Sequence, residues 1–171
     1  MEANKNLEEL KSDIEKFDGF KQEVIEELYN NVAEKYDNMM HAMGHPDPTV
    51  CAEFVQKYCK QPADVIDFGC GTGIVGEEIL RLGLDATVFG IDASQGMLDV
   101  AKAKGCYSQL KHMFLGKPNE FPAEMTGKFD AVTAAGILAE GHLMSEVFEE
   151  MNLALKPNGY AIFTTREQYL E

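Results

Sequence analysis

The sequence predicts an α/β protein with an open parallel sheet and helices on both faces. From residue 61 onward, short apolar segments alternate with amphipathic helical segments, and this alternation is typical of parallel strands joined by crossover helices. Glycines follow the first apolar segment and end two of the helical ones, where turns and caps are expected. The length of 171 residues suits one domain. We predict a helical lid over 1–60 and a sheet-containing core over 61–171.

The N-terminal segment is predicted to form two or three amphipathic helices. Its apolar residues recur at helical spacing in one stripe of Leu7, Leu10, Ile14 and Phe17 and another of Val24, Ile25, Leu28 and Val32. Two prolines and a glycine within 41–48 predict an interruption. A further helix is expected over 50–58.

The core is predicted to contain five strands in the order 3-2-1-4-5, because right-handed crossovers leave few topologies. The predicted strands are 65–68, 87–92, 111–115, 129–138 and 160–165. The predicted helices are 74–82, 94–105 and 143–155. Ser94 is expected to begin the second helix as its N-cap. A turn over 156–159 is expected before the last strand.

A glycine loop follows the first predicted strand, at residues 67–73 (DFGCGTG). Its glycines permit a tight turn and a close approach of the backbone to a ligand, at the sheet edge where open α/β folds bind ligands. Gly71, Gly73 and Gly76 also satisfy the dinucleotide pattern GxGxxG. The glycines alone therefore leave a nicotinamide-dependent oxidoreductase open.

Two carboxylates at strand ends narrow the ligand class. Asp67 ends the first strand, beside the loop, where a carboxylate suits a ligand with an ammonium group and is unfavourable next to a pyrophosphate. Asp92 ends the second strand, where its carboxylate can accept hydrogen bonds from both hydroxyls of a ribose. Asp92 fits either cofactor, whereas Asp67 favours S-adenosylmethionine.

Successive motifs of the chain resemble those of class I S-adenosylmethionine-dependent methyltransferases. They are VIDFGCGTG (65–73), FGIDASQGML (89–98), FDAVTAAGIL (129–138) and LKPNGYAIFTTRE (155–167). The pairing of the stretch 90–107 with TTRE (164–167) is most similar to the methyltransferase-like family named for the Williams-Beuren syndrome region. The resemblance extends over residues 29–166.

The resemblance implies a Rossmann-like sheet and S-adenosylmethionine as the cofactor, with S-adenosylhomocysteine as the product. The class I fold has seven strands, so we expect the last two to be absent from this sequence. The loop glycines would line the methionine part of the cofactor, Asp92 would hold the ribose, and Met97 would pack near the adenine. The positions expected to bind the cofactor are Tyr29, Tyr36, Asp67, Gly69, Cys70, Gly71, Thr72, Gly73, Asp92, Ala93 and Met97.

Two departures from the family pattern bear on the site. Many relatives carry an acidic residue after the third strand that contacts the adenine amine, whereas residues 115–119 read LGKPN here. Methyltransferases that act on bases carry an Asp/Asn-Pro-Pro-aromatic motif after the fourth strand, whereas residues 133–136 read TAAG. The second departure argues against methylation of bases.

Catalysis by a general base would be needed for a hydroxyl or protonated amine acceptor. Glu140 and His142 follow the fourth strand, at the sheet edge that faces a substrate, and are the candidates for this role. The alternative interpretation is that His142 only begins the next helix.

A metal site is not expected. His41 and His45 are four residues apart beside Asp47, which on a helix would place two imidazoles on one face. Gly44 and Pro46 argue against a regular helix there, and a solvated lid loop is the simpler interpretation.

Charge and cysteine content exclude several other classes. The net charge of −14 repels phosphate backbones and anionic lipids, so we expect no nucleic-acid partner and no membrane partner. Four cysteines without zinc-type spacing and a charged N-terminus predict a reduced, cytoplasmic protein. No apolar run approaches the ~20 residues that span a bilayer.

Three questions about function stay open at this stage. The acceptor is expected to be a small molecule, with a protein acceptor as an alternative. A non-catalytic, partner-dependent cofactor-binding module is a further alternative. Strand 160–165 would leave an open edge, which proteins usually cover, and we expect a homodimer contact or another partner there.

Overall fold

The computed structural model describes residues 22–138 and 146–165. Within them, five parallel strands form one sheet in the order β3-β2-β1-β4-β5, which confirms the predicted topology. The strands are β1 (Ala63–Phe68), β2 (Ala86–Asp92), β3 (Gln109–His112), β4 (Phe129–Leu138) and β5 (Leu155–Thr165). The predicted apolar stripe over 7–17 lies outside the described residues.

Five α-helices accompany the described part of the sheet. They are α1 (Gln22–Met43), α2 (Asp47–Tyr58), α3 (Ile74–Arg81), α4 (Gln95–Lys104) and α5 (Glu146–Ala154). Ser94 caps α4 as predicted, since its side chain accepts a hydrogen bond from the amide of Met97. Gly105 ends the same helix with a φ of 70°, a left-handed conformation that glycine adopts without strain.

Three predicted boundaries were wrong. The third strand covers Gln109–His112 rather than 111–115, because β2 ends at Asp92, opposite His112, and offers no further partner. The interruption between α1 and α2 is shorter than predicted, since α1 continues to Met43. The fifth strand begins at Leu155 and includes the expected turn as an irregularity, where Asn158 has a φ of 66°.

The sheet separates two apolar clusters because side chains of successive strand residues point to opposite faces. On one face Ile66 and Phe68 of β1 pack with α5 residues such as Val147 and Met151. On the other face the buried side chains come mainly from β1, α2 and α3: Val65, Val55, Val75 and Ile79. Burying side chains of this size contributes roughly 1.5–3 kcal/mol each. Both faces of the sheet are therefore held by helices.

Neither a membrane-spanning helix nor a metal centre is found in residues 22–138 and 146–165. None of the helices there is long and apolar enough to cross a membrane. No group of three or more His, Cys, Asp or Glu side chains in these residues is arranged to hold a metal ion.

Candidate functional site

A cavity of about 370 Å³ lies between the glycine loop and the helices α1 and α2. It opens at the carboxyl edge of the sheet, where open α/β folds bind ligands. Its walls come from α1, the α1–α2 turn, the first residues of α2 and α3, the loop after β1, and the ends of β4 and β5. The loop contributes Gly69, Cys70, Gly71 and Thr72, and α1 contributes Tyr29, Tyr36, Met40 and Met43.

Two glycines shape the loop that borders this cavity. Gly69 has a φ of 65°, and a Cβ there would collide with the side chain of Ile137, so a larger residue would displace β4. Gly71 has a φ of 52° and lines the cavity, and a Cβ there would meet no protein atom within 4 Å. Bare backbone at Gly71 therefore leaves space for a ligand to approach closely.

Asp92 ties the end of β2 to the glycine loop. Its Oδ2 accepts a hydrogen bond of 2.8 Å from the amide of Gly71, and its Oδ1 accepts one of 2.8 Å from the amide of Ser94. A carboxylate has about four acceptor positions, so both oxygens retain capacity for further donors. Burial raises the pKa of Asp92, while the two backbone amides oppose that increase.

Asp67 lies beneath the loop rather than on the cavity surface. It is 1% exposed, and its carboxylate accepts hydrogen bonds from Thr133 Oγ1 at 2.7 Å and Tyr107 Oη at 2.8 Å. The same Tyr107 oxygen accepts a hydrogen bond from the amide of Gly76. Burial raises the pKa of Asp67 to about 7. Its contacts in this structure hold β1, β4 and the start of α3 together.

Two side chains of α1 fasten this helix to the core. Asn30 Oδ1 accepts hydrogen bonds of 2.7 Å from Ser94 Oγ and from the amide of Gly96, at the start of α4. Asp37 accepts a hydrogen bond from Thr72 Oγ1 at 2.5 Å and lies 2.6 Å from Lys104 Nζ. These contacts hold α1 over the glycine loop, in the position expected of a lid.

Tyr29 and Tyr36 form the aromatic wall of the cavity. Their rings meet edge to face with centroids 6.1 Å apart. Burial raises the pKa of Tyr29, and burial together with the charge of Asp92 raises the pKa of Tyr36 to about 12. Both phenols are therefore neutral at physiological pH.

The predicted cofactor residues fall into two groups. Those that line the cavity are Tyr29, Tyr36, Gly69, Cys70, Gly71 and Thr72. Those that lie close to it without lining it are Asp67, Gly73, Asp92, Ala93 and Met97. The predicted general bases Glu140 and His142 lie outside the described residues.

Sequence reasoning missed several residues that shape the site. Asn30 and Asp37 gave no signal, because polar residues on an amphipathic helix are expected to face solvent. Tyr107 was likewise not identified as the partner of Asp67. Glu150 could have been recognised from the sequence, because it lies beside Val147 and Met151 on the apolar face of α5. Its carboxylate accepts hydrogen bonds from the amides of Gly116 and Lys117 at 2.7 and 3.0 Å.

The charge around the cavity distinguishes between ligand classes. Its lining contains no Lys or Arg among the residues that the structure describes, and Asp47 contributes a carboxylate. The charge of Asp37, against Thr72 of the loop, is balanced by Lys104, so Asp47 carries this argument. A pyrophosphate at this loop would therefore lie near negative charge, whereas a cationic ligand is favoured. This observation argues against a nicotinamide dinucleotide.

Comparison with known proteins agrees with this geometry. A family described as a methyltransferase domain matches residues 65–159. The human methyltransferase-like protein 27 is 32% identical over 143 residues, covering 81% of this chain and 56% of its own length.

Solved structures share the fold. One is a putative S-adenosylmethionine-dependent methyltransferase from Methanococcus maripaludis, with a TM-score of 0.60 and 17% identity over 78% of this chain and 62% of its own. Another is a putative methyltransferase from Haloferax volcanii in complex with the Trm112 methyltransferase activator, with a TM-score of 0.56 and 20% identity over 78% of this chain and 57% of its own.

The fold and the family match define a class I S-adenosylmethionine-dependent methyltransferase domain. The chain belongs to this methyltransferase family, and the cofactor of the family is S-adenosylmethionine. It spans 56% of the length of the human relative.

The residues present fit this cofactor. Gly71 leaves open space against its backbone. Asp92, which accepts a hydrogen bond from the Gly71 amide, retains further acceptor positions. Among the described residues, the cavity lining has no Lys or Arg that would repel a sulfonium or an ammonium group.

Proposed function

We propose that this protein binds S-adenosylmethionine between the glycine loop and α1, and that it transfers the methyl group to a small-molecule acceptor. The observation that carries this proposal is the single cavity that Gly69–Thr72 share with Tyr29, Tyr36, Met40 and Met43. A volume of about 370 Å³ lies in the range of ~300–1,000 Å³ typical of small-molecule sites.

Each part of the proposed site has a distinct task. Asp92 would accept hydrogen bonds from the ribose hydroxyls, because its two oxygens are fixed by backbone amides and keep free acceptor positions. The backbone of Gly71 would lie close to the cofactor. Tyr29 and Tyr36 of α1 would exclude water from the cavity. Met97, buried at 1% exposure, would pack behind the adenine, with Ala93 and Gly73 as neighbouring backbone.

The cofactor supplies an activated methyl donor when bound, so this chain has to position the acceptor and exclude water. The helix α1, held by Asn30 and Asp37, would position the acceptor and exclude water. The sequence predicts Glu140 and His142 as proton acceptors for a hydroxyl or amine, and neither lies in the part of the chain that the structure describes. An acceptor on a protein is a second candidate.

The sheet edge at β5 supports a proposal about partners. Exposed aromatic rings flank this strand on both faces: Tyr58 and Tyr160 meet at 5.5 Å, and Phe148 and Phe163 meet at 5.3 Å. A solved relative in fold forms a complex with a methyltransferase activator. We therefore propose that a second copy of this chain, or a partner, covers β5.

Free cysteines throughout the described part support a reducing, cytoplasmic location.

Titration calorimetry tests the proposed function, with S-adenosylmethionine, S-adenosylhomocysteine and NADH in parallel. The proposal predicts saturable binding of both S-adenosyl compounds and none of NADH. Binding of NADH alone would support the oxidoreductase alternative. No binding of the S-adenosyl compounds at millimolar concentration would overturn the proposal.

A further inference from the structure

His45 and Asp47 line the same cavity as the glycine loop. His45 lies in the turn between α1 and α2, Asp47 is the first residue of α2, and His45 Nδ1 is 3.6 Å from Asp47 Oδ2. Both side chains are partly accessible, at 39% and 24%, so a ligand in the cavity can reach them. This separation is longer than a hydrogen bond, and such contacts commonly tighten when substrate binds.

Asp47 is held in place from the core. Thr164 Oγ1 of β5 donates a hydrogen bond of 2.9 Å to Asp47 Oδ2, and the amide of Gly136 of β4 donates one of 2.9 Å to Thr164 Oγ1. Asp47 is also the first residue of α2, where the helix dipole favours a negative charge. The carboxylate is therefore fixed as an anion that faces His45.

Asp47 is the one carboxylate among the described residues that line the cavity with His45. Tyr29 and Tyr36 of α1 have pKa values raised by burial, and Tyr36 reaches about 12. Burial raises the pKa of the Cys70 thiol as well. These three lining groups are therefore neutral at physiological pH.

An imidazole beside a fixed carboxylate is suited to accept a proton. The carboxylate near Nδ1 favours the tautomer with hydrogen on that nitrogen, which leaves the lone pair of Nε2 available.

We infer that His45 is the general base for the methyl acceptor and that Asp47 is its positioning residue, an inference that rests on the proposed function. The acceptor class is then a molecule with a hydroxyl or amine N–H at the reacting atom. His45 Nε2 takes the proton of the acceptor as the acceptor atom forms its bond to the methyl carbon. The electron pair of the broken sulfur–carbon bond stays on sulfur, and the positive charge moves from the sulfonium to the imidazolium beside Asp47.

Histidine NMR titration of the full chain tests this inference without a known acceptor. The sequence has four histidines, and loss of one signal in His45→Asn assigns the resonance. S-Adenosylmethionine carries a positive charge at sulfur that S-adenosylhomocysteine lacks. If His45 faces the reacting sulfur, its pKa should be lower by about 0.5 units or more with S-adenosylmethionine bound than with S-adenosylhomocysteine bound. His41, which does not line the cavity, serves as the internal control.

The outcomes separate the proposals. If the pKa of His45 is equal in the two saturated complexes, the assignment of His45 as the general base is overturned. A pKa difference at His142 instead would assign the general base to His142. If neither ligand binds, the proposed function fails and this inference fails with it.

A second variant tests the positioning residue. Asp47→Asn should change the ratio of the two His45 tautomers, read from the 15N shifts of its ring nitrogens, whereas Asp99→Asn, on the exposed side of α4, should leave that ratio unchanged. An unchanged tautomer ratio in Asp47→Asn would exclude the role of Asp47.

Discussion

Thr72 Oγ1 of the glycine loop donates a hydrogen bond of 2.5 Å to Asp37 Oδ1 of α1. Two elements 35 residues apart in the chain thus meet at the cavity. Asn30, about two turns earlier in α1, makes a second attachment, to the start of α4. The lid is therefore joined to the cofactor side of the domain by specific polar contacts, which makes its attachment testable by single substitutions.

The attachment of α1 predicts the behaviour of Asn30→Ala. Loss of two hydrogen bonds to Ser94 and Gly96 should destabilise the contact by about 1–2 kcal/mol. Hydrogen exchange in α1 should become faster, and S-adenosylhomocysteine should bind more weakly because Tyr29 lies on the same helix. Asn31→Ala, an exposed position next to it, is the control. Equal exchange and affinity in both variants would contradict the role of Asn30.

Asp92 accepts hydrogen bonds from two backbone amides. Asp92→Asn should therefore weaken both stability and cofactor binding, although asparagine has the same shape. An amide has one acceptor oxygen, so its NH₂ group would face the amide of either Gly71 or Ser94. We expect a loss of about 1–3 kcal/mol in the free energy of unfolding and at least tenfold weaker binding of S-adenosylhomocysteine. Asp99→Asn on the surface of α4 is the control. Wild-type affinity in Asp92→Asn would exclude this account of the loop.

The buried carboxyl of Asp67 predicts a pH dependence of stability. Its pKa is raised from 3.8 to about 7 in the folded state, so the folded state holds the proton more tightly than the unfolded state. The stabilisation is full below about pH 4 and is lost as the pH rises through 7. The loss amounts to about 4 kcal/mol for a shift of roughly three units.

Urea unfolding at pH 4.5 and pH 8 measures this effect. The free energy of unfolding of the wild type should decrease more between these conditions than that of Asp67→Asn, which cannot titrate. Parallel pH dependence in the two proteins would show that Asp67 keeps an ordinary pKa.

The exposed rings at β5 predict self-association. Light scattering should give a mass of two chains for the wild type and of one chain for Phe163→Lys, which places a charge at that edge. Leu80→Lys is the control, because Leu80 is an exposed apolar residue of α3. A monomeric wild type at all concentrations would exclude the second copy and leave another partner for this edge.

The sequence was informative where local rules determine structure. The strands, the glycine loop, and the caps at Ser94 and Gly105 were predictable, because alternation and turn chemistry are local signals. The strand order followed from the handedness of the crossovers, which leaves few topologies. The end of β3 was not, since it depends on where its neighbour β2 ends at Asp92.

Long-range side-chain partners were also beyond prediction. The contact between Asp37 and Thr72, and that between Asp67 and Tyr107, join distant segments, and polar residue types give no indication of their partner. The sequence placed His45 and Asp47 near each other but gave no sign that Thr164 fixes Asp47, because β5 lies 117 residues further along the chain.

The most direct test of the central claim places a side chain in the cavity at Gly71. Gly71→Leu and Gly83→Leu both put leucine at a positive φ, of 52° and 67°, with no protein atom near the added Cβ, so both should lose similar stability. Only Gly71 lines the cavity. Calorimetry with S-adenosylhomocysteine should show binding abolished in Gly71→Leu and retained in Gly83→Leu. Equal affinity in the two variants would contradict the placement of the cofactor at this loop.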